Sequence, residues 1–122
     1  MRDVRRETMV DTGLEYLPGD PVRLRVVTRR FPWVSDQGGA VERAGKPPGW
    51  RDAAEQLAGA LGVNVSRAGV VSLPVVPAGP GYDVIVSRVG EASLGLYEEL
   101  LELSVLPAAR TGPRKIRSRP AS

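Results

Sequence analysis

The chain has 122 residues, enough for one folded domain with a single hydrophobic core. It contains no cysteine and no histidine, which excludes disulfides, thiolate nucleophiles, Ser-His and Cys-His catalysis and ordinary zinc sites. The net charge of +3 is unevenly distributed, because residues 110–122 carry +5 and residues 1–6 carry +2, which leaves −4 on residues 7–109.

The N-terminal residues 1–19 are predicted to form an arm or a strand. Residues 1–6 are charged and lead into no apolar run, so the sequence shows no signal peptide, and no stretch approaches the ~18 apolar residues of a membrane span. We therefore expect a cytoplasmic protein that does not contact a membrane. Four residues fit a short strand before the turn at Pro18 and Gly19, namely Val10, Leu14, Tyr16 and Leu17.

Residues 20–109 are predicted to form a single α+β domain that begins with an antiparallel meander. The first strand alternates with period two, which turns apolar side chains to a core and arginines to solvent: Val22, Leu24 and Val26 against Arg23 and Arg25. A second strand has three residues on one face: Phe31, Trp33 and Ser35. Asp36 and the two glycines after it favour a turn that reverses the chain into a third strand, Ala40–Glu42.

A helix and a β-ribbon are predicted next. The helix has an apolar stripe and a glycine cap: Trp50, Ala53, Ala54, Leu57 and Leu61, then Gly62. Gly59 inside it indicates either close packing or a marginal helix. Residues 63–65 and 70–73 flank a hairpin turn with Gly69 in the left-handed conformation. Pro74 and Pro77 lack amide donors, so this ribbon is expected at a sheet edge or leaving the sheet.

The last predicted helix, residues 81–106, is the longest element. Six apolar residues recur at steps of three and four and predict the buried stripe: Ile85, Val89, Ala92, Leu96, Leu100 and Leu103. A second stripe lies beside the first: Leu94, Tyr97, Leu101 and Val105. Because this apolar surface is wider than one packing seam requires, we expect the second stripe to contribute to a homodimer interface, unless the sheet and the first helix cover it.

Residues 110–122 are predicted to be a disordered basic tail. They contain Gly112, Pro113 and Pro120 and no acidic residue, a composition that cannot bury enough apolar surface to fold alone. The tail either solubilises the end of the chain or contacts phosphates or an acidic partner through four of its cations, Arg114, Lys115, Arg117 and Arg119.

Two groups of residues suggest chemistry beyond the core. Arginines next to aromatic residues resemble surfaces that bind single strands, namely Arg23, Arg25, Arg29 and Arg30 near Phe31 and Trp33, although the aromatics more naturally complete a core. Carboxylates could hold a metal if the meander brought them together, namely Asp20, Asp36 and Glu42. Glu98, Glu99 and Glu102 are better explained as a solvated helix face. No cofactor is predicted, because neither glycine-rich stretch has the phosphate-binding spacing.

The chain contains the turn Ser35-Asp36-Gln37-Gly38, the segment Ala40-Val41-Glu42 after it, and a closing helix that ends in Leu100-Leu101-Glu102-Leu103. In these residues the chain resembles bacterial and phage domains of unknown function that carry a Ser-Asp-x-Gly turn. The resemblance covers most of residues 20–106 and implies a small α+β domain, regulatory or phage-related, with no catalytic residue to carry over. We therefore predict a non-enzymatic protein-interaction or regulatory module that forms a homodimer. The alternatives are nucleic-acid binding through the basic ends and the Arg23/Arg25 face, and a metal-dependent hydrolase that uses the meander carboxylates.

Overall fold

The computed structural model describes the backbone of residues 7–109 and the side chains of residues 7–105. Its described elements are five strands and three helices: β1 (Glu7–Leu17), β2 (Asp20–Val27), β3 (Trp33–Ser35), α1 (Gly39–Ala44), α2 (Trp50–Leu61), β4 (Asn64–Val65), β5 (Val71–Pro74) and α3 (Tyr82–Ala109). The strands form one antiparallel sheet in the order β1-β2-β3-β5-β4. This confirms the predicted α+β fold with a long last helix. The predicted basic tail, residues 110–122, lies outside the described residues.

β1 and β2 form a hairpin around Pro18 and Gly19. β1 has 11 residues and is longer than the predicted short strand. Its register with β2 is irregular between Asp11 and Glu15, where Gly13 has a φ of +85°. Tyr16 is 7% exposed and belongs to the hydrophobic core. The described part of residues 1–19 is therefore an integral strand of the sheet.

β2 and β3 confirm the predicted alternation in the first strand and correct the prediction for the second. Val26 lies opposite Val34, and both are buried on the side of the core. Trp33 lies on the other face and is only partly buried. Phe31 lies outside β3 and is 78% exposed, so it does not complete the core as the sequence suggested.

The predicted third strand, Ala40–Glu42, is wrong, because these residues belong to the helix α1. The turn before α1 does contain the local bonds expected of Asp36, whose Oδ1 accepts the N–H of Gly38 at 2.7 Å. Gly38 has a φ of 79° and directs the chain into a helical turn rather than back along β3. The place beside β3 is taken instead by β5, which pairs with it antiparallel.

α2 and the ribbon match their predictions closely. α2 ends at Leu61 with Gly62 in the left-handed conformation, and Gly69 has a φ of +92° in the hairpin turn. β4 is the edge strand of the ribbon, whereas β5, which contains Pro74, lies between β3 and β4. Of the two explanations offered for Gly59, close packing is wrong, because nothing lies within 4 Å of the position of a Cβ atom there.

α3 lies across the core face of the sheet and contacts β1, β2, β3, β5 and both shorter helices. Five of the six residues in the predicted stripe are fully or almost fully buried, namely Ile85, Val89, Ala92, Leu96 and Leu100. The sixth, Leu103, is partly buried. Burial of Leu96 and Leu100 alone contributes about 3–6 kcal/mol. Among the helices of residues 7–109, none is both long and apolar enough to cross a bilayer.

Candidate functional site

Asp36 is a buried carboxylate, 3% exposed, at the junction of three elements. Its Oδ1 accepts the N–H groups of Gly38 at 2.7 Å and Val71 at 2.9 Å. Its Oδ2 accepts the hydroxyl of Ser93 at 2.6 Å and a longer bond of 3.4 Å from the N–H of Ala40. One side chain therefore joins the turn before α1 to β5 and to α3.

Ser93 extends this network to β1. Its Oγ lies 2.7 Å from the Oη of Tyr16, and because Ser93 donates its one hydrogen to Asp36, Tyr16 donates to Ser93. The ring of Tyr16 also meets Tyr97 edge-on, with 5.2 Å between centroids. Burial raises the pKa of Tyr16 above its ordinary value of 10.0.

Arg43 covers Tyr16 on the side of α1, with its guanidinium 4.5 Å from the ring centroid. Its Nε and Nη2 donate to the carboxylate of Asp20 at 2.7 and 3.0 Å, and its Nη1 donates to the carbonyl oxygen of Gly39 at 3.0 Å. The hydrogen bond from Arg43 lowers the pKa of Asp20 below its ordinary 3.8. Arg43 is thus engaged in holding α1 against the β1–β2 hairpin.

The meander carboxylates Asp20, Asp36 and Glu42 all line one cleft of about 410 Å³, but they do not form a metal site. Asp36 already accepts four hydrogen bonds, Asp20 is paired with Arg43, and Glu42 is exposed. No group of three or more acidic side chains among residues 7–105 could hold a metal ion. The structure gives the metal-dependent hydrolase no support. The predicted solvated helix face is confirmed, since its three carboxylates are exposed: Glu98, Glu99 and Glu102.

The predicted basic and aromatic residues of β2, the following loop and the start of β3 are together called the arginine–aromatic surface: Arg23, Arg25, Arg29, Arg30, Phe31 and Trp33. The guanidinium of Arg25 lies 5.5 Å from the ring centroid of Trp33, and that of Arg30 lies 5.7 Å from the ring of Phe31. Arg25 and Trp33 are on the sheet face opposite Val26 and Val34, so this part of the surface is turned away from α3.

Ion pairs reduce the charge of this surface only in part. Arg25 and Arg29 both pair with the carboxylate of Glu7. Arg23 and Arg30 are exposed and form no ion pair with a carboxylate of residues 7–105. The tail cations predicted to act with this surface lie outside the described residues, namely Arg114, Lys115, Arg117 and Arg119.

The four predicted interface residues of α3 have different environments. Tyr97 is 5% exposed and packs inside the monomer, so it is not available to a second subunit. Leu94 is partly buried against the core. Leu101 and Val105 are 38% and 63% exposed. The apolar surface left open at this end of α3 is therefore narrower than the predicted stripe.

No protein-family model, curated protein or solved structure matches this chain. The resemblance to bacterial and phage domains with a Ser-Asp-x-Gly turn therefore stays a prediction. The turn itself is present, with the hydrogen bond from the N–H of Gly38 to Asp36 that such a turn requires.

Sequence reasoning missed the partners of Asp36. Ser93 is fully buried, and it lies one residue after Ala92 within the apolar stripe of α3. A polar residue in that position was the signal available, because a buried hydroxyl needs a partner. Tyr16 carried no comparable signal, since its phenol could equally have pointed to solvent.

Proposed function

We propose that this protein is a non-enzymatic protein-interaction module that forms a homodimer through the exposed end of α3. The observation that carries the proposal is the pair Leu101 and Val105, which are 38% and 63% exposed one turn apart. Leu94 precedes them on the same helix face. Single exposed apolar residues are common on monomers, but a group on one helix face is typical of a docking surface. The cysteine-free composition is compatible with the cytoplasm, where we expect the protein to act.

The geometry of one helix face favours a symmetric contact. A two-fold axis would place the same face of two copies together, so each apolar residue meets an apolar partner. Glu98 lies on this face, one turn after Leu94, and is exposed. The two Glu98 carboxylates would repel each other across the axis, so dimerisation should strengthen when salt screens them. The apolar area is small, and we expect micromolar rather than nanomolar association.

Sedimentation equilibrium from micromolar to submillimolar concentrations tests the dimer. Val105→Glu should leave a monomer at every concentration, because it buries a charge against the partner copy. The matched control is Val84→Glu, the same substitution at a residue of α3 that is 46% exposed near its other end. A wild-type monomer throughout the range, or equal loss of association in both variants, would contradict the proposal.

Nucleic-acid binding is the second candidate, favoured by Phe31. A phenylalanine that is 78% exposed and stacked by Arg30 offers a free ring face to an unpaired base. The sequence-based objection is that the aromatics belong to the core, and this objection fails for Phe31. Arg23 and Arg30 leave positive charge on the same surface to contact phosphates.

Fluorescence anisotropy with a labelled single-stranded oligonucleotide at low salt tests this candidate. Arg30→Ala should weaken binding several-fold, because it removes both a cation and the stack on Phe31. Arg51→Ala is the matched control, since Arg51 also stacks on an aromatic ring, 5.2 Å from that of Trp50, but belongs to α2. No binding at low salt, or equal weakening by both substitutions, would eliminate the candidate.

A further inference from the structure

A groove of about 520 Å³ lies between β1 and the first half of α3. β1 is an edge strand of the sheet and, within residues 7–109, pairs only with β2. The groove therefore runs beside a strand edge that no other strand of residues 7–109 occupies, and such an edge can pair with an added strand. This position differs from the arginine–aromatic surface and from the end of α3 that carries Leu101 and Val105.

The lining of the groove is mainly apolar where β1 faces α3. Val10 and Leu14 line it from β1, and Val86 and Tyr82 line it from α3. Val10, Leu14 and Val86 are partly buried and pack against the core, and Tyr82 is 36% exposed. Side chains of a strand added beside β1 would alternate, and every second one would enter this groove.

The charged residues of the groove have one sign. Asp11, Asp83 and Glu91 line it, and all three are exposed. No lysine or arginine is among its described lining residues. An incoming segment would therefore be favoured by lysine or arginine and opposed by acidic residues.

The structure of β1 also limits the length of such a segment. The pairing of β1 with β2 is regular from Glu7 to Asp11 and shifts between Asp11 and Glu15. The N–H of Gly13 bonds to the side chain of Asp11 in the irregular stretch. A strand added at the edge could follow the regular backbone for about five residues before the irregularity ends the ladder.

We propose that β1 binds an extended cationic peptide of about five residues as an additional strand, with apolar side chains at alternate positions in the β1–α3 groove and lysine or arginine beside the groove carboxylates. Main-chain hydrogen bonds to β1 supply part of the affinity, and the apolar pocket and the acidic residues select the sequence. This binding mode uses residues of α3 up to Glu91, whereas the proposed dimer uses Leu94 and residues after it.

Fluorescence anisotropy with a labelled Lys-Val-Arg-Val-Lys-Val peptide and the full-length chain tests the proposal. Glu91→Lys should weaken binding about fivefold or more, because an attraction becomes a repulsion. Glu99→Lys, the same charge change at an exposed residue of α3 outside the groove, should change it less than about twofold. A peptide N-methylated at every backbone nitrogen should bind at least about tenfold more weakly, because it cannot donate main-chain hydrogen bonds to β1.

Three results would overturn the proposal. Equal binding by the two lysine variants would show that the charge effect is not local to the groove. Equal binding of the N-methylated peptide would show that no strand is added to β1. If the peptide dissociates a wild-type dimer and does not bind the Val105→Glu variant, peptide binding depends on a second copy of the chain and not on the groove. Binding to that variant with wild-type affinity would support the groove even if dimerisation through α3 fails.

Discussion

Asp36 illustrates how one side chain can fix the relative positions of distant segments. It lies 35 residues from Val71 and 57 from Ser93, and it bonds to both. A buried carboxylate is stable only when its oxygens are satisfied, and here backbone N–H groups and a hydroxyl satisfy them. The role of this aspartate is therefore structural.

Asp36→Ala should destabilise the protein by about 4 kcal/mol or more, because it leaves buried N–H groups and the Ser93 hydroxyl without an acceptor. Ser93→Ala should cost about 1–2 kcal/mol, since Asp36 keeps its backbone donors. Urea unfolding followed by circular dichroism measures both. If Asp36→Ala does not fold, Ser93→Ala still tests the network, and a neutral effect of that substitution would contradict the assignment.

The raised pKa of Tyr16 predicts a loss of stability at alkaline pH. The unfolded tyrosine ionises near 10.0 and the folded one at a higher pH, so between these two values the folded state holds the extra proton. The free energy of unfolding must then fall as the pH rises above 10. Urea unfolding from about pH 8 to 11 should show this fall in the wild type and in Tyr82→Phe, whose tyrosine is 36% exposed, and a smaller fall in Tyr16→Phe. Identical pH profiles for the two variants would refute it.

Of the hydrogen bonds around Asp36, only those within its own turn could be predicted from the sequence. The bond from Asp36 to the residue two positions on follows from the chemistry of aspartate in turns, and it is present. Tyr16 and Ser93 are 77 residues apart, and their meeting depends on how α3 crosses β1. No periodicity in the chain specifies that crossing.

Two glycines in helices show how packing decides the effect of the same substitution. Gly59→Ala should stabilise the protein by about 0.5–1 kcal/mol, because a Cβ atom there meets nothing within 4 Å and alanine favours a helix. Gly39→Ala should destabilise it by about 1 kcal/mol or more, because the Cβ position is 2.8 Å from the Oη of Tyr16. Thermal unfolding of both variants should give shifts of opposite sign, and shifts of the same sign would contradict the packing at Gly39.

Sequence patterns predict best those elements in which the apolar spacing repeats several times or a capping residue marks the end. α2 and α3 have repeated apolar positions, and Gly62 ends α2 as expected. Ala40–Glu42 is too short to show either a helical or a strand period. The prediction of a strand there therefore depends on the preceding turn alone. That turn ends in Gly38 with a φ of 79° and starts a helix instead of a hairpin. Short segments after turns are where tertiary contacts decide the structure.

At the scale of the whole molecule, opposite charges are placed on different surfaces. Residues 7–109 carry −4, yet Arg23 on the sheet face away from α3 and Arg30 in the loop after β2 form no ion pair with a carboxylate of residues 7–105. Two acidic residues of the β1–α3 groove, Asp83 and Glu91, belong to α3, which lies across the other face of the sheet. A polyanion and a cationic peptide would therefore approach different faces. The net charge of +3 alone suggests only the polyanion as a partner.

Deleting residues 110–122 and substituting Phe31→Ala should affect nucleic-acid binding in different ways. The deletion removes five cations, so the slope of log affinity against log salt should become shallower, by about 0.7 for each phosphate that the tail neutralises in the full-length chain. Phe31 has no charge, so Phe31→Ala should lower affinity roughly fivefold or more at every salt concentration with an unchanged slope, because it removes base stacking alone. Anisotropy titrations of a labelled single strand across a salt series measure both quantities. If the affinity of Phe31→Ala equals that of the wild type throughout, the strand does not bind at the arginine–aromatic surface, whatever the deletion does to the slope.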